Sequence, residues 1–257
     1  IDDLARNGIK FTQCHAQPLC TPTRVKLMTG LSNVRNYSAF SVLNRNQKTI
    51  GQYFREAGYR TAIGGKWQLL GAEHYKQQFR GKGSWPAKTG FEHASLWQVD
   101  RLGDRYWNPL LYLNGQNQQF KPNDYGPDVI TENLMNFMTQ HREEPFFIYY
   151  PMILVHSPFL RAPEQEPKMK KDPQKNFEAM VHHMDVIVGQ FVRHVDRLGI
   201  GDRTLILFVG DNGTHKSIRS KLGDRIIQGG KGTTTDAGTH VPFVASWSGK
   251  IPAGTVC

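Results

Sequence analysis

The sequence predicts an α/β fold with a mostly parallel central sheet covered by helices on both faces. Three observations carry this reading. The runs Phe146-Phe147-Ile148-Tyr149-Tyr150 and Thr204 to Val209 are continuously apolar, as strands are when both faces of their sheet are covered. Between them, Phe177, Met180, Val181, Met184, Ile187, Val188, Phe191, Val195 and Leu198 recur at helical spacing and predict one long helix from Asn176 to Leu198. Alternation of such strands and helices is the pattern of a helix-covered parallel sheet. A chain of 257 residues suffices for one large domain of this kind, and 1–257 is read as a single domain.

In chain order, Leu4 and Ala5 start a short amphipathic helix that Gly8 stops, and Ile9 to Cys14 follows as a strand. Pro22 suits the first turn of a helix, where its missing N–H costs nothing, with Thr21 as N-cap and Gly30 as the stop. After a polar stretch, Thr49 to Ala57 reads as a helix with Ile50, Tyr53, Phe54 and Ala57 on one face. A strand from Arg60 to Ile63 then leads into Gly64-Gly65-Lys66. Residues 71–126 read as irregular, with a turn at Asn114-Gly115, and long irregular stretches in compact domains tend to be functional. Their aromatics, Trp85, Trp97, Tyr106, Trp107 and Tyr112, suit either sugar stacking or core packing. Pro127 to His141 is a helix with Ile130, Leu134, Phe137 and Met138 toward the core.

The chain carries a net charge of +10, from 32 Lys and Arg against 22 Asp and Glu, with concentrations at Lys168-Met169-Lys170-Lys171 and from Arg219 to Arg225. Such an excess attracts polyanions. Nucleic acid is one candidate partner and a sulfated polysaccharide another; no nucleic-acid-binding motif is present, and a solvated basic surface is the better account of any single cluster. No run approaches the ~20 apolar residues that a membrane span needs, and Ile1 to Arg6 is too polar for a signal peptide. Cys14, Cys20 and Cys257 are too few and too scattered for a disulfide framework.

The most informative segment is Cys20-Thr21-Pro22-Thr23-Arg24-Val25-Lys26-Leu27-Met28-Thr29-Gly30. Read by itself it is a loop entering a helix, with Cys20 at the end where free N–H groups favour an anion. Three further segments place polar residues after predicted strands, where α/β sheets form their sites. Gly210-Asp211-Asn212-Gly213 is either a turn or a pair of oxygen ligands for a hard cation. Gly65-Lys66-Trp67-Gln68-Leu69 and His156-Ser157-Pro158 follow two others, and Gly230-Lys231-Gly232 precedes Val241-Pro242-Phe243.

Taken in order, these five segments resemble the motifs of type I sulfatases, of the alkaline-phosphatase-like superfamily. The resemblance implies that Cys20 is oxidised to formylglycine by the formylglycine-generating enzyme and acts as the nucleophile. It implies that Asp211, Asn212 and the modified Cys20 bind Ca²⁺, or Mg²⁺ in its place. Arg24, Lys66 and Lys231 would carry the charge of the sulfate, and His156 would protonate the departing alcohol. Hydrolysis of sulfate esters on a carbohydrate, in a periplasmic or secreted protein, is the implied function. Gln68 departs from the pattern, which has His there, and glutamine has no useful proton affinity. The family also begins with a strand ending in Asp-Asp and continues into a smaller C-terminal subdomain, neither of which is found here. The chain is therefore expected to be a fragment of the catalytic domain, with weak metal binding. Two alternatives are a phosphodiester or phosphonate monoester hydrolase of the same fold, and a non-catalytic polyanion-binding protein.

Overall fold

A computed structural model describes residues 1–166 and 172–257. The basic run 168–171 lies outside the described residues. The elements are α1 (Asp2–Arg6), β1 (Ile9–Phe11), α2 (Cys20–Thr29), α3 (Asn33–Asn36), α4 (Ile50–Glu56) and β2 (Arg60–Lys66). There follow β3 (His93–Trp97), β4 (Leu110–Leu113), β5 (Gln116–Gln119), α5 (Gly126–Gln140), β6 (Phe146–Tyr149) and α6 (Pro173–Arg197). The chain ends with β7 (Ile206–Val209), β8 (Arg219–Leu222), β9 (Arg225–Gln228), α7 (Asp236–Thr239), β10 (Phe243–Ser246) and β11 (Thr255–Val256). The chain divides into two compact units, one of residues 1–23 and 155–257, the other of residues 24–154.

The second unit is built on a five-stranded sheet in the order β5-β4-β3-β2-β6. Strand β2 pairs parallel with both β3 and β6, so the expected parallel ladder is at the centre. Strands β4 and β5 add antiparallel edges. Helices cover both faces. On one, Ile63 joins a buried cluster with Val25 and Met28 of α2, Leu43, Trp67, Leu96 and Phe91, and Ile50 of α4 packs against it. On the other, α5 lies so close that a Cβ at Gly64 would stand 2.7 Å from Leu134 and 2.8 Å from Ile130.

Two readings of this unit are corrected. Residues 71–126 contain β3, β4 and β5, not irregular chain alone. The β4–β5 hairpin turns at Asn114 and Gly115, both at positive φ as a two-residue hairpin requires, but β5 is wholly polar and exposed. Its Gln-rich composition hid it. Helix α4 has the capping box of Thr49 and Gln52, yet it turns Gly51 inward and leaves Tyr53 56% exposed. The reason is steric. Gly51 approaches Thr89 so closely that a Cβ would lie 2.5 Å from its carbonyl oxygen.

The first unit has a four-stranded sheet, β11-β1-β10-β7, with β1–β11 parallel and the other pairs antiparallel. Leu4 of α1 and Val188 and Val192 of α6 pack with Val244, Ile206 and Phe208 on one face. Helix α6 starts at Asp172, whose carboxylate accepts from the backbone N–H groups of Gln174 and Lys175. Strand β7, read as fully buried, is not: Leu207 is 57% exposed and Val209 40%, on the face opposite α1 and α6. Strand β6 is likewise only half-buried. A second hairpin, β8–β9, occupies the basic segment Arg219 to Arg225.

Candidate active site

In the first unit, helix α2 begins at Cys20, two residues earlier than a Thr21 cap implies, so Cys20 lies in the first turn and is 3% exposed. Its loop is tied to the other motif loops by backbone geometry. The Thr23 hydroxyl donates to the carbonyl of Asp211 at 2.6 Å and accepts from the N–H of Gln17 at 3.0 Å. Gly232 N–H donates to the Pro18 carbonyl at 2.9 Å, which joins the Gly-Lys-Gly segment to the approach to Cys20. Lys231 donates its backbone N–H to Thr214 at 2.9 Å, and its side chain is part-buried. Sequence reasoning missed Thr23, because nothing local marks a threonine as a tie to a residue so far along the chain.

Asp211 and Asn212 follow β7 directly, as expected. Gly213 is pressed against α7 so tightly that a Cβ would meet the Ala237 carbonyl oxygen at 2.0 Å. The Asn212 amide donates to the Gly213 carbonyl at 2.9 Å, while its Oδ1 is buried with no hydrogen-bond partner among the described residues. A buried amide oxygen without a donor is unfavourable by about 1–3 kcal/mol, and an oxygen-seeking cation is one chemistry that would satisfy it. Asn212 Oδ1 therefore fits a hard cation as a ligand, and Asp211, next to it in the chain, has a carboxylate of the same ligand chemistry. Among the described residues no group of three or more His, Cys, Asp or Glu side chains is placed to hold a metal.

His156 lies seven residues beyond β6 and is part-buried. With its Nδ1–H donated to the Ser157 carbonyl at 2.7 Å, the ring is held in the tautomer that leaves the lone pair on Nε2.

In the second unit, Arg24 is 2% exposed and grips the end of β2. Nη1 donates to the Trp67 carbonyl at 2.6 Å and Nη2 to the Lys66 carbonyl at 2.5 Å, whereas Nε is buried with no hydrogen-bond partner among the described residues. Arg24 thus holds the backbone that presents Lys66. Lys66 closes β2 and is 5% exposed, with its N–H on the Pro151 carbonyl at 2.8 Å. Gly65 makes that approach feasible: at φ +98, a Cβ there would stand 2.1 Å from the Pro151 oxygen. Gln68 follows in the left-handed region at φ 47. The aromatics divide: Trp97, Tyr106 and Tyr112 are core, whereas Trp85 is 39% exposed.

A sequence profile of the Sulfatase family matches residues 1–256. The chain belongs to the sulfatase family. Among the curated relatives of this sulfatase chain is arylsulfatase G of Rattus norvegicus, 28% identical over 98% of the chain and 55% of the relative. Another is N-acetylgalactosamine-6-O-sulfatase of Bacteroides thetaiotaomicron, 23% identical over 98% of the chain and 63% of the relative. The solved structure of Ps i-CgsB in complex with k-i-k-neocarrahexaose superposes with a TM-score of 0.81 at 25% identity, covering 99% of the chain and 61% of that protein. The chain spans about half the length of the first curated relatives it matches, as the 50% coverage of the arylsulfatase of Hemicentrotus pulcherrimus shows.

Proposed function

We propose that the protein to which this chain belongs hydrolyses sulfate esters of a carbohydrate, with position 20 as nucleophile. The observation that carries the reading is the tie between the Cys20 loop and Asp211 through Thr23, within a chain that matches the sulfatase family from end to end. The relatives named for arylsulfate and N-acetylgalactosamine 6-sulfate chemistry, and the neighbour in complex with neocarrahexaose, support a sulfated carbohydrate. The chain's charge of +10 agrees with an anionic substrate.

Cys20 would be converted to formylglycine by the formylglycine-generating enzyme, and a Ca²⁺ or Mg²⁺ ion on Asp211 and Asn212 would supply Lewis-acid stabilisation of the charge developing there. Lys66 and Lys231 would carry the negative charge of the sulfate as ammonium donors. Arg24 acts one step back, holding the carbonyls of Lys66 and Trp67 so that the lysine is preorganised. His156, with Nδ1–H held by Ser157, would first take up a proton on the Nε2 lone pair and then pass it to the departing alcohol oxygen.

Mass spectrometry of the Cys20 peptide, from a host that contains the converting enzyme, tests this directly. Sulfate release is measured alongside, from N-acetylgalactosamine 6-sulfate, a carrageenan oligosaccharide and 4-nitrophenyl sulfate. Formylglycine at position 20 with turnover is the expected result; an unmodified thiol with no sulfate released would sink the reading. Gln68 and the two-ligand cation site favour a second reading, polyanion binding without catalysis. That reading expects Cys20→Ala to bind a sulfated glycan as well as wild type, with no sulfate released by either. Phosphonate monoester hydrolase of Agrobacterium radiobacter shares the fold at 16% identity, and a phosphonate ester in the same assay separates that chemistry.

A further inference from the structure

At the carboxyl ends of the parallel strands β2 and β3, the chain exits in two segments that run side by side. Trp67 N–H donates to the Trp97 carbonyl at 2.9 Å, Gln68 N–H to the Gln98 carbonyl at 3.0 Å, and Glu73 N–H to the Asp100 carbonyl at 3.1 Å. Gln68 and Gln98 both occupy the left-handed region, at φ 47 and φ 60. Glutamine there costs on the order of 1 kcal/mol or more, and such strain persists where the surroundings hold it in place. The result is a polar array immediately after Lys66. The Gln68 side-chain amide donates to the Tyr75 hydroxyl, and Gln98 Nε2 reaches the same hydroxyl at 3.2 Å and His74 Nε2 at 2.9 Å.

Gln98 is 3% exposed, and its Oε1 is buried with no hydrogen-bond partner among the described residues. Turning the amide over would exchange the two atoms, letting Oε1 accept from Tyr75 and His74, but would then leave the NH₂ group over instead. In either orientation one atom of a buried amide is left without a hydrogen-bond partner among the described residues. His74 is exposed and Tyr75 half-buried, so solvent reaches the residues that cap the amide. A neutral group that both donates and accepts satisfies the amide in both orientations, and a carbohydrate hydroxyl is such a group. Desolvation holds the His74 imidazole below its ordinary pKa, partly offset by Glu73 and reinforced by Arg80, in keeping with a neutral array.

We propose that Gln98, with His74, Tyr75 and Gln68, forms a subsite that hydrogen-bonds a hydroxyl group of the carbohydrate whose sulfate ester is cleaved. The proposal rests on the sulfate-ester reading for what brings the sugar to β2. It gives Gln68 a role in recognition, at the position where the family pattern has histidine.

The test uses the full-length protein and the Gln98→Leu variant, with a carrageenan hexasaccharide and 4-nitrophenyl sulfate, which has no sugar hydroxyl. The kcat/KM for the hexasaccharide should fall about tenfold more than that for the aryl ester, the size of one lost hydrogen bond to a buried amide. Most of the change should lie in KM. Equal losses on both substrates, or a wild type with no preference for the hexasaccharide, would overturn the subsite while leaving the hydrolase reading intact. If neither ester is hydrolysed, calorimetric titration of the hexasaccharide decides the subsite. Weaker binding by Gln98→Leu than by wild type supports it, whereas equal binding or none refutes it. Should Gln98→Leu not fold, the pair His74→Ala with Tyr75→Phe, exposed and half-buried, carries the same comparison.

Discussion

The Thr23 hydroxyl donates to the carbonyl of Asp211 at 2.6 Å while accepting from the N–H of Gln17 at 3.0 Å. A single side chain in the first turns of α2 therefore ties the loop before Cys20 to the loop after β7. Because Thr23 is buried, both partners lose their hydrogen bonds if the hydroxyl is removed. Thr23→Val should lower stability by about 1–3 kcal/mol, read from urea unfolding. Under the proposed cation role of Asp211, it should also weaken Ca²⁺ binding about tenfold by calorimetry, as the loss of a group that supports a ligand does. Thr23→Ser, which keeps the oxygen, should restore most of both.

Arg24 spends two guanidinium donors on the carbonyls of Lys66 and Trp67. A lysine cannot make this fork, so Arg24→Lys is not conservative. The expected loss is about 2 kcal/mol in chemical denaturation, and under the proposed function sulfate release should fall through misplacement of Lys66. Unchanged stability would mean that the fork contributes nothing.

Gly65 offers a backbone test with no charge involved. With φ at +98 and the Pro151 oxygen 2.1 Å from the position of a Cβ, Gly65→Ala must displace β2 from the chain after β6. A loss of about 3 kcal/mol is expected. The neighbouring Gly58 also has positive φ, but nothing lies within 4 Å of a Cβ there, so Gly58→Ala should cost less in the same melt.

His93, at the start of β3, should make stability depend on pH. Burial, with a smaller contribution from His141, holds its imidazole below the ordinary histidine pKa, and its Nε2 is buried with no hydrogen-bond partner among the described residues. The unfolded chain then binds the proton more tightly than the folded one. Its contribution to stability is complete above about pH 6.5 and declines as pH falls from there through the lower folded-state value. Thermal melts across this range should show the decline, and His93→Asn should flatten it.

Glu164 acts lower on the pH scale. Burial is the largest influence and raises its pKa, but the 2.6 Å hydrogen bond with His183, the carboxyl's own backbone hydrogen bond and the charges of His183 and His182 together outweigh it, and the carboxyl lies below its ordinary value. Stability from this pair is present above about pH 4.3 and is lost as pH falls through the folded-state value. Glu164→Gln should remove that part of the acid dependence in the same melts.

The sequence by itself determined the family, because Cys20, Lys66, His156, Asp211, Asn212 and Lys231 lie in motifs whose residue types and order survive low overall identity. It also determined the helices α5 and α6, whose long apolar stripes outweigh local exceptions. It did not reveal β5, because a polar hairpin edge carries no hydrophobic period. Nor did it reveal the inward face of α4, where close contact with Thr89 selects Gly51 over Tyr53. Tertiary structure alone decided that Arg24 serves backbone carbonyls, that Thr23 holds Asp211, and that Gln98 meets Gln68 and His74. These are hydrogen bonds between residues more than twenty positions apart in sequence, and their geometry exists only once β2, β3 and β7 have formed.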